Sequence, residues 1–365
     1  MLSLASRAGF RLEGQCAVQL PWAGPAGERG AAAAGELLVL AREQAAGRWR
    51  VTYQEPELLP EVQALFQRVF GHPMSEALWH WKYGQGRGQG ALTLRDGRVV
   101  AHYGGLTREV RFLGRREWAG QVADVMVEAG DRGVLTRQGA FFRAAASVPE
   151  TCSGYGSKHL IGFGFPNRRH FTLAERLGLY AEVGRMVEPR WPAAAATNGR
   201  WRLADLAELP AGRAARAVER LWAAMARDLQ EAIVGVRDYA WLRYRYLQHP
   251  EYRYRVFGVR RRWRPGWRGV IVLREHAQRV ELMDLVGSLG SLPELVAAAR
   301  DWAAAAGYPE VFAWITSTHA ASLGLDDATV TDPDVVVPTS IRTPGPAPAE
   351  LNGRWWLMSG DTDFR

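Results

Sequence analysis

ADVMVEAGDRGVLTRQGAFFRAAA, residues 123–146, holds three kinds of patterning in succession. The apolar run Val125-Met126-Val127 reads as a buried strand, because it is too short for a helix and rich in β-branched residues. Glycines 130, 133 and 139 then interrupt any regular element. Val134, Leu135, Phe141, Phe142 and Ala145 follow on one helical face.

The surroundings extend the pattern in both directions. Upstream, ALTLRDGRVVAHYGG (91–105) predicts a hairpin about Asp96-Gly97, and VRFLGRREWAG (110–120) a second with Gly114 in its bend. Before these, Trp49, Val51 and Tyr53 alternate as in a half-buried strand, while Val62, Leu65, Phe66 and Val69 keep helical spacing. SEALWHWKY (75–83) starts a second helix with Ser75 as N-cap, and the glycines from Gly84 to Gly90 break it. Downstream of Pro149, HLIGFGF predicts a strand, Pro166-Asn167 leads a helix through Leu173 and Leu177 to Gly178, and YAEVGRMVE a last strand. The order is strand, two helices, four strands, helix, strand, helix, strand. A mixed α/β (α+β) fold, with a mostly antiparallel sheet covered by helices on both faces, satisfies it.

From Trp201 the pattern restarts. RDYAWLRYRYLQHPEYRYRVFGV (237–259) echoes SEALWHWKYGQGRGQGALTLRDG (75–97), with Trp241 standing 162 positions after Trp79. Asp284 stands 160 after Asp124, Leu292 to Trp302 supplies a matching helix, and Gly324-Leu325 echoes Gly178-Leu179. Four ordered landmarks at a nearly constant offset predict duplication of a whole domain. The expected organisation is an extension over 1–45, domains over 46–195 and 200–342, and a Pro-rich linker with a C-terminal segment over 343–365.

Composition sets outer limits. Of 365 residues 47% are hydrophobic and 23% charged, enough apolar surface for complete cores. The formal charge of +8 favours anionic partners, although arginines spread over many solvated faces explain it equally well. Cys16 and Cys152 have neither CxxC spacing nor neighbouring histidines, so neither zinc nor a disulfide framework is expected. The early interruptions at Arg7, Arg11 and Glu13 argue against a signal peptide, and no apolar run is long enough to span a bilayer. A cytoplasmic protein with no metal, no membrane partner and no nucleic acid is the expectation.

Residues 124–140, and GFGFPNRRHFTLAERLGL at 162–179, resemble the GNAT superfamily of acyl-CoA acyltransferases. The WxWKY helix and the GFPN strand end look most like bacterial members of that superfamily. The resemblance spans about 48–190, and about 205–330 through the repeat. It implies two tandem GNAT-like domains and, in the first, a splayed sheet that grips acetyl-CoA. Edge groups of Val125, Met126 and Val127 would take the pantetheine amides. Backbone N–H groups of Gly133, Val134, Leu135 and Thr136, with Arg132 and Arg137, would take the pyrophosphate. Asn167 would touch the cofactor or cap the next helix. Two departures stand out: Leu135 occupies a glycine position of the phosphate loop, and Ala174 a position where the family carries a tyrosine acid.

For catalysis the candidates are Asp124 and Glu128 as bases and Tyr180 as the acid that protonates the departing thiolate. Trp79, Trp81 and Tyr83 would line an acceptor pocket or pack a core. Arg260 to Arg268, with Trp263 and Trp267, form a basic, stacking-capable loop or a solvated hairpin. DLVGSLGSLPELV (284–296) has no basic residue for a diphosphate, so the second copy is expected to support the first. The resulting expectation is acetyl transfer to an amine or hydroxyl of a small molecule or sugar. A non-catalytic scaffold and an aminoacyl-tRNA-dependent transferase are the alternatives.

Overall fold

The computed structural model describes residues 10–20, 33–42, 49–132, 136–194 and 199–364. They fall into two compact units, 1–50 and 51–365. In the first, β1 (Phe10–Leu20) and β2 (Ala33–Arg42) form an antiparallel ladder with a register shift between Leu12 and Gly14. This hairpin lies within the stretch read as an extension.

The second unit opens with β3 (Arg50–Tyr53), α1 (Leu59–Phe70) and α2 (Glu76–Tyr83), followed by β4 (Gly88–Arg95), β5 (Arg98–Phe112) and β6 (Arg115–Val127). Next come α3 (Ala140–Cys152), β7 (Ile161–Phe163), α4 (Arg168–Arg176) and β8 (Tyr180–Pro192). The second half runs β9 (Trp201–Asp205), α5 (Ala211–Asp228), β10 (Ile233–Gly235), then α6 (Tyr239–Leu242), which passes into a π-turn over Arg243–Leu247. It continues with β11 (Arg255–Arg261), β12 (Gly269–Glu275), β13 (Val280–Val286), α7 (Leu292–Ala305), β14 (Glu310–Phe312), β15 (Ile315–Thr316) and β16 (Thr329–Thr331). Last are β17 (Val336–Ser340), α8 (Pro348–Leu351) and β18 (Trp355–Trp356).

The strands make two large mixed sheets. In the seven-stranded sheet β5 is central, with β4 and then β3 on one edge and β6 and then β7 on the other, and β10 and β18 continue the β4 side. The nine-stranded sheet runs β15-β8-β14-β13-β12-β11-β9, with β16 and β17 also on β8. Strands cross between the halves: β8 pairs in the sheet of the second half, and β10 and β18 extend the sheet of the first. The terminal segment thus packs back as a strand, Trp355-Trp356 lying parallel to Ile233-Val234.

Several local expectations need correction. The four strands expected between α2 and α3 are three, because β5 and β6 run unbroken for 15 and 13 residues, the chain turning at Asp96-Gly97 into β5 and at Leu113-Gly114 into β6. All four turn residues have positive φ, the geometry that lets a two-residue turn match strand twist. The α3 helix passes through Pro149 to Cys152, and its buried face is Ala140, Ala144, Ala145 and Val148, with Phe141 and Phe142 half-buried. Val134 and Leu135 lie outside the described residues. The repeat is offset by 163 at the α2 and α6 helices, not 162: the N-caps Ser75 and Asp238 correspond, so Trp79 matches Leu242 and Tyr83 matches Tyr246. Gly324 closes a 3-10 turn over Ser317–Leu323, where the sequence predicts the end of a helix like that before Gly178.

Candidate active site

The α2 helix is held by its N-cap, the Ser75 hydroxyl accepting from Leu78 N at 3.1 Å. Helical spacing then turns Trp79, Lys82 and Tyr83 inward together, Trp79 stacking on Tyr83 at 4.2 Å between ring centres. Opposite them β6 has a bulge: the ladder with β5 shifts between His102 and Gly104, and Asp124 takes a φ of +46°. An extra residue in one strand re-aims its side chain, and here it brings the Asp124 carboxylate to α2. Lys82 Nζ donates to it at 2.7 Å and Tyr83 Oη at 2.6 Å, while His102 Nδ1 donates to the Asp124 carbonyl at 2.6 Å.

Lys82 also donates to Asp363 at 3.0 Å, so one buried ammonium serves two carboxylates. Their environments push them apart. Burial by itself would raise Asp124, but the Lys82 charge and the bonds from Lys82 and Tyr83 outweigh it and hold this carboxyl below its ordinary value. For Asp363 burial wins, aided by the negative charge of Asp124, and its carboxyl is pushed above the ordinary value. Burial would lower Lys82, yet the two carboxylates keep it firmly charged.

The second half repeats the motif in a different state. Tyr246 Oη donates to Asp284 at 2.8 Å, as Tyr83 does to Asp124, and Arg237 Nε donates to Asp284 at 2.8 Å. Arg237 also pairs with Asp361 and is fully buried. Arg245, at the position of Lys82, donates to the Gly360 and Thr362 carbonyls. The segment 360–363 is therefore gripped by both halves at once.

This grip shapes a cleft of about 960 Å³. Trp81, Trp118, Trp241 and Tyr244 supply its aromatic lining; Lys82, Arg108, Arg245, Asp361 and Asp363 are among its charges, with Arg87, Glu109 and Asp238. Trp81 stacks on Tyr244 at 4.8 Å, and the Arg108 guanidinium lies 3.2 Å from the Trp241 ring centre. Burial, partly offset by Asp361, lowers Arg108 to about 10. A smaller cavity lies where β6 meets β7, lined by Gly120, Val122, Phe163, Tyr103, Tyr180 and His159 among others. Tyr103 and Tyr180 share a hydrogen bond there, and burial raises both phenols. His159, lowered to about 4 by burial, contacts the Thr107 hydroxyl at 3.0 Å. Gln121 lines both spaces and donates to the Asp361 carbonyl at 2.7 Å.

At β6 and β7 the sheet opens. The parallel ladder joins Ala119–Gln121 to Ile161–Phe163 and goes no further. Past it, the chain after β7 bonds to the segment entering β17: Val336 N donates to the Pro166 carbonyl, and Arg168 N to the Asp334 carbonyl. Val122 to Val127 have no ladder partner on that side among the described residues. The start of α3, with no side-chain cap, follows the exposed residues Thr136, Arg137 and Gln138. A strand edge without a ladder partner, leading to an uncapped helix start, fits an extended amide chain ending in a diphosphate.

The structure distributes the remaining candidates unevenly. Val125 is exposed and Val127 half-buried at the opening, but the Met126 side chain is buried against α1. Arg132 Nε donates back to the Val127 carbonyl at 2.9 Å, and the Arg137 guanidinium rests against Gly178. The Thr136 hydroxyl accepts from Gln138 N at 3.2 Å. Gly133, Val134 and Leu135 lie outside the described residues. Asn167 caps α4, accepting from His170 N at 2.9 Å. Glu128 is ion-paired with Arg68 of α1 at 2.6 Å, outside the cleft lining. Lys82 stands in the WxWKY helix that the sequence singles out, whereas Arg108, Gln121, His159 and Asp363 carry no motif there.

Residues 50–141 match the family described as acetyltransferase (GNAT) domain. No curated protein matches the chain. Among solved structures it is similar to a probable N-acyltransferase from Enterococcus faecalis V583, with 13% identity, a TM-score of 0.59, and 80% of this chain and 71% of that chain covered. A GCN5-related N-acetyltransferase from Anabaena variabilis ATCC 29413 gives 13%, 0.57, 80% and 72%, and one from Kribbella flavida 17%, 0.54, 80% and 71%. At such identities the likeness is one of fold. At 50–141 the chain resembles an acetyltransferase (GNAT) domain, and over most of its length it shares the fold of these solved structures.

Proposed function

We propose that the protein transfers an acyl group, acetyl in the simplest case, from a CoA thioester to an amine or hydroxyl of a small molecule or sugar. One observation carries this reading: the β6–β7 ladder ends at Gln121, and the β6 edge beyond it runs unpaired among the described residues to Val127, the end of the strand nearer the uncapped start of α3. In this reading 46–195 is the catalytic domain, and 200–342 a GNAT-like copy that walls the acceptor cleft. The thioester supplies the activated carbonyl; the nucleophile forms its bond to that carbon, the carbon–sulfur bond breaks, and one proton must leave the nucleophile as another reaches sulfur.

The chain's own groups suit these tasks. The edge of Val125–Val127 aligns the amide arm, and Arg132, Thr136 and Arg137 meet the diphosphate. Asp363, lifted by burial, is the better-placed base, because it lines the cleft and its raised value sits nearer that of an amine being deprotonated. Asp124 is held ionised by Lys82 and acts as the counter-ion that positions it. Tyr180, kept protonated by burial, is the candidate acid, with Tyr103 as its proton-sharing partner. Calorimetry with acetyl-CoA tests the donor site: binding is expected, with the Arg132→Ala and Arg137→Ala variants each weakened about tenfold, the scale of one charge-assisted phosphate contact. Absence of binding by the unaltered chain overturns the transferase reading in favour of a scaffold.

A further inference from the structure

RRRWRPGWR, residues 260–268, forms the end of β11 and its turn into β12, and the structure sorts its cations into two sets. At the base, Arg261 and Arg268 both bind Glu294 of α7, Arg268 Nε at 3.0 Å. The Trp267 ring lies flat on Gly258, where a β-carbon would come within 1.6 Å of it. That base is rigid and its charges are satisfied.

The tip is the opposite. Arg260, Arg262 and Arg264, with Arg200 and Arg202 on the adjoining edge, are all exposed, and among the described residues none has a carboxylate within ion-pair distance. Arg202 and Arg260 stand directly across the β9–β11 ladder from one another. Like charges in that position destabilise a sheet, and a local rule broken without internal compensation points outward, to a ligand. Above them Trp263 is 83% exposed, with Arg262 5.0 Å from its ring centre.

We propose that this tip docks the protein on an anionic phospholipid surface, with Trp263 seated at headgroup level and the five arginines on lipid phosphates. Arginine's planar fork suits phosphate oxygens, and an indole with one apolar and one polar edge suits the interface. A single-stranded nucleic acid fits less well. It needs successive stacking platforms along a groove, whereas Trp201 is buried, Trp267 is packed on Gly258, and the tip presents one indole.

Sedimentation of the full chain with vesicles of phosphatidylcholine alone, or with about one-third phosphatidylserine, tests this without reference to acyl transfer. Binding is expected to the anionic vesicles, falling in high salt, with each arginine removed costing about fivefold. The triple variant Arg260→Gln, Arg262→Gln, Arg264→Gln should lose roughly a hundredfold on the same basis, and Trp263→Ala should weaken binding at unchanged salt dependence. The exposed Arg213, Arg216 and Arg220 of α5, changed together to Gln, remove the same charge elsewhere and should leave binding nearly intact. Unchanged unfolding midpoints establish that the variants are folded. No binding to either vesicle, equal loss in the α5 triple, or tip-dependent binding of a single-stranded oligonucleotide without vesicle binding would each overturn the proposal.

Discussion

Asp124 and Asp363 share Lys82 but respond to pH in opposite directions. Asp124 is depressed in the folded protein, so its stabilising contribution is present above the unfolded carboxyl value, about 4, and is lost as pH falls through the lower folded value. Asp363 is raised, so its contribution is complete below about 4 and is lost as pH rises through the raised folded value. Asp124→Asn should therefore cost about 3–5 kcal/mol at neutral pH, since it strips a buried ammonium of its closer partner, and Asp363→Asn distinctly less; urea unfolding measures both. In activity the order reverses. Rate should rise with pH through the raised value of Asp363, and Asp363→Asn should lower kcat and remove that acid limb while acetyl-CoA affinity stays. A limb that persists in this variant would remove Asp363 from the base role. Burial lowers His159, to about 4, and His102 as well, so both shifts run opposite to that of Asp363.

At the scale of elements, caps and close approaches dominate. The resemblance assigns Asn167 to a cofactor contact or a helix cap, and in the fold its side chain accepts from His170 N. Asn167→Ala should destabilise by about 1 kcal/mol, with acetyl-CoA affinity unchanged; a calorimetric titration of the variant decides between the two roles. Helices α1, α2 and α4, with their caps at Ser75 and Asn167, were legible because capping and 3.6-residue periodicity are written in neighbouring residues. The lengths of β5 and β6 were not. A Gly-containing turn looks alike whether it separates short strands or bends a long pair, and pairing along the whole ladder decides which.

For the whole molecule, segment 359–363 is the keystone. Asp361 neutralises fully buried Arg237 and approaches Arg108, Arg245 holds the flanking carbonyls, and Asp363 reaches Lys82. Asp361→Asn should cost about 3–5 kcal/mol by leaving a buried guanidinium short of charge. Because β8, β10 and β18 each pair in the sheet of the other half, residues 51–365 should unfold in one cooperative transition; calorimetry showing two separated transitions would contradict that coupling.

The landmarks of the repeat, the WxWKY helix and the caps at Ser75 and Asn167 lie in residues close together in the chain or at a nearly constant offset, so the amino-acid order by itself determined them. The cleft was a different matter. Lys82 and Asp363 lie 281 positions apart, no local pattern links them, and the values of the two carboxyls depend on which burial and which charge the folded chain places around each. Only the tertiary structure could decide that Asp124 is the counter-ion and that the carboxylate with the raised value comes from the far end of the sequence.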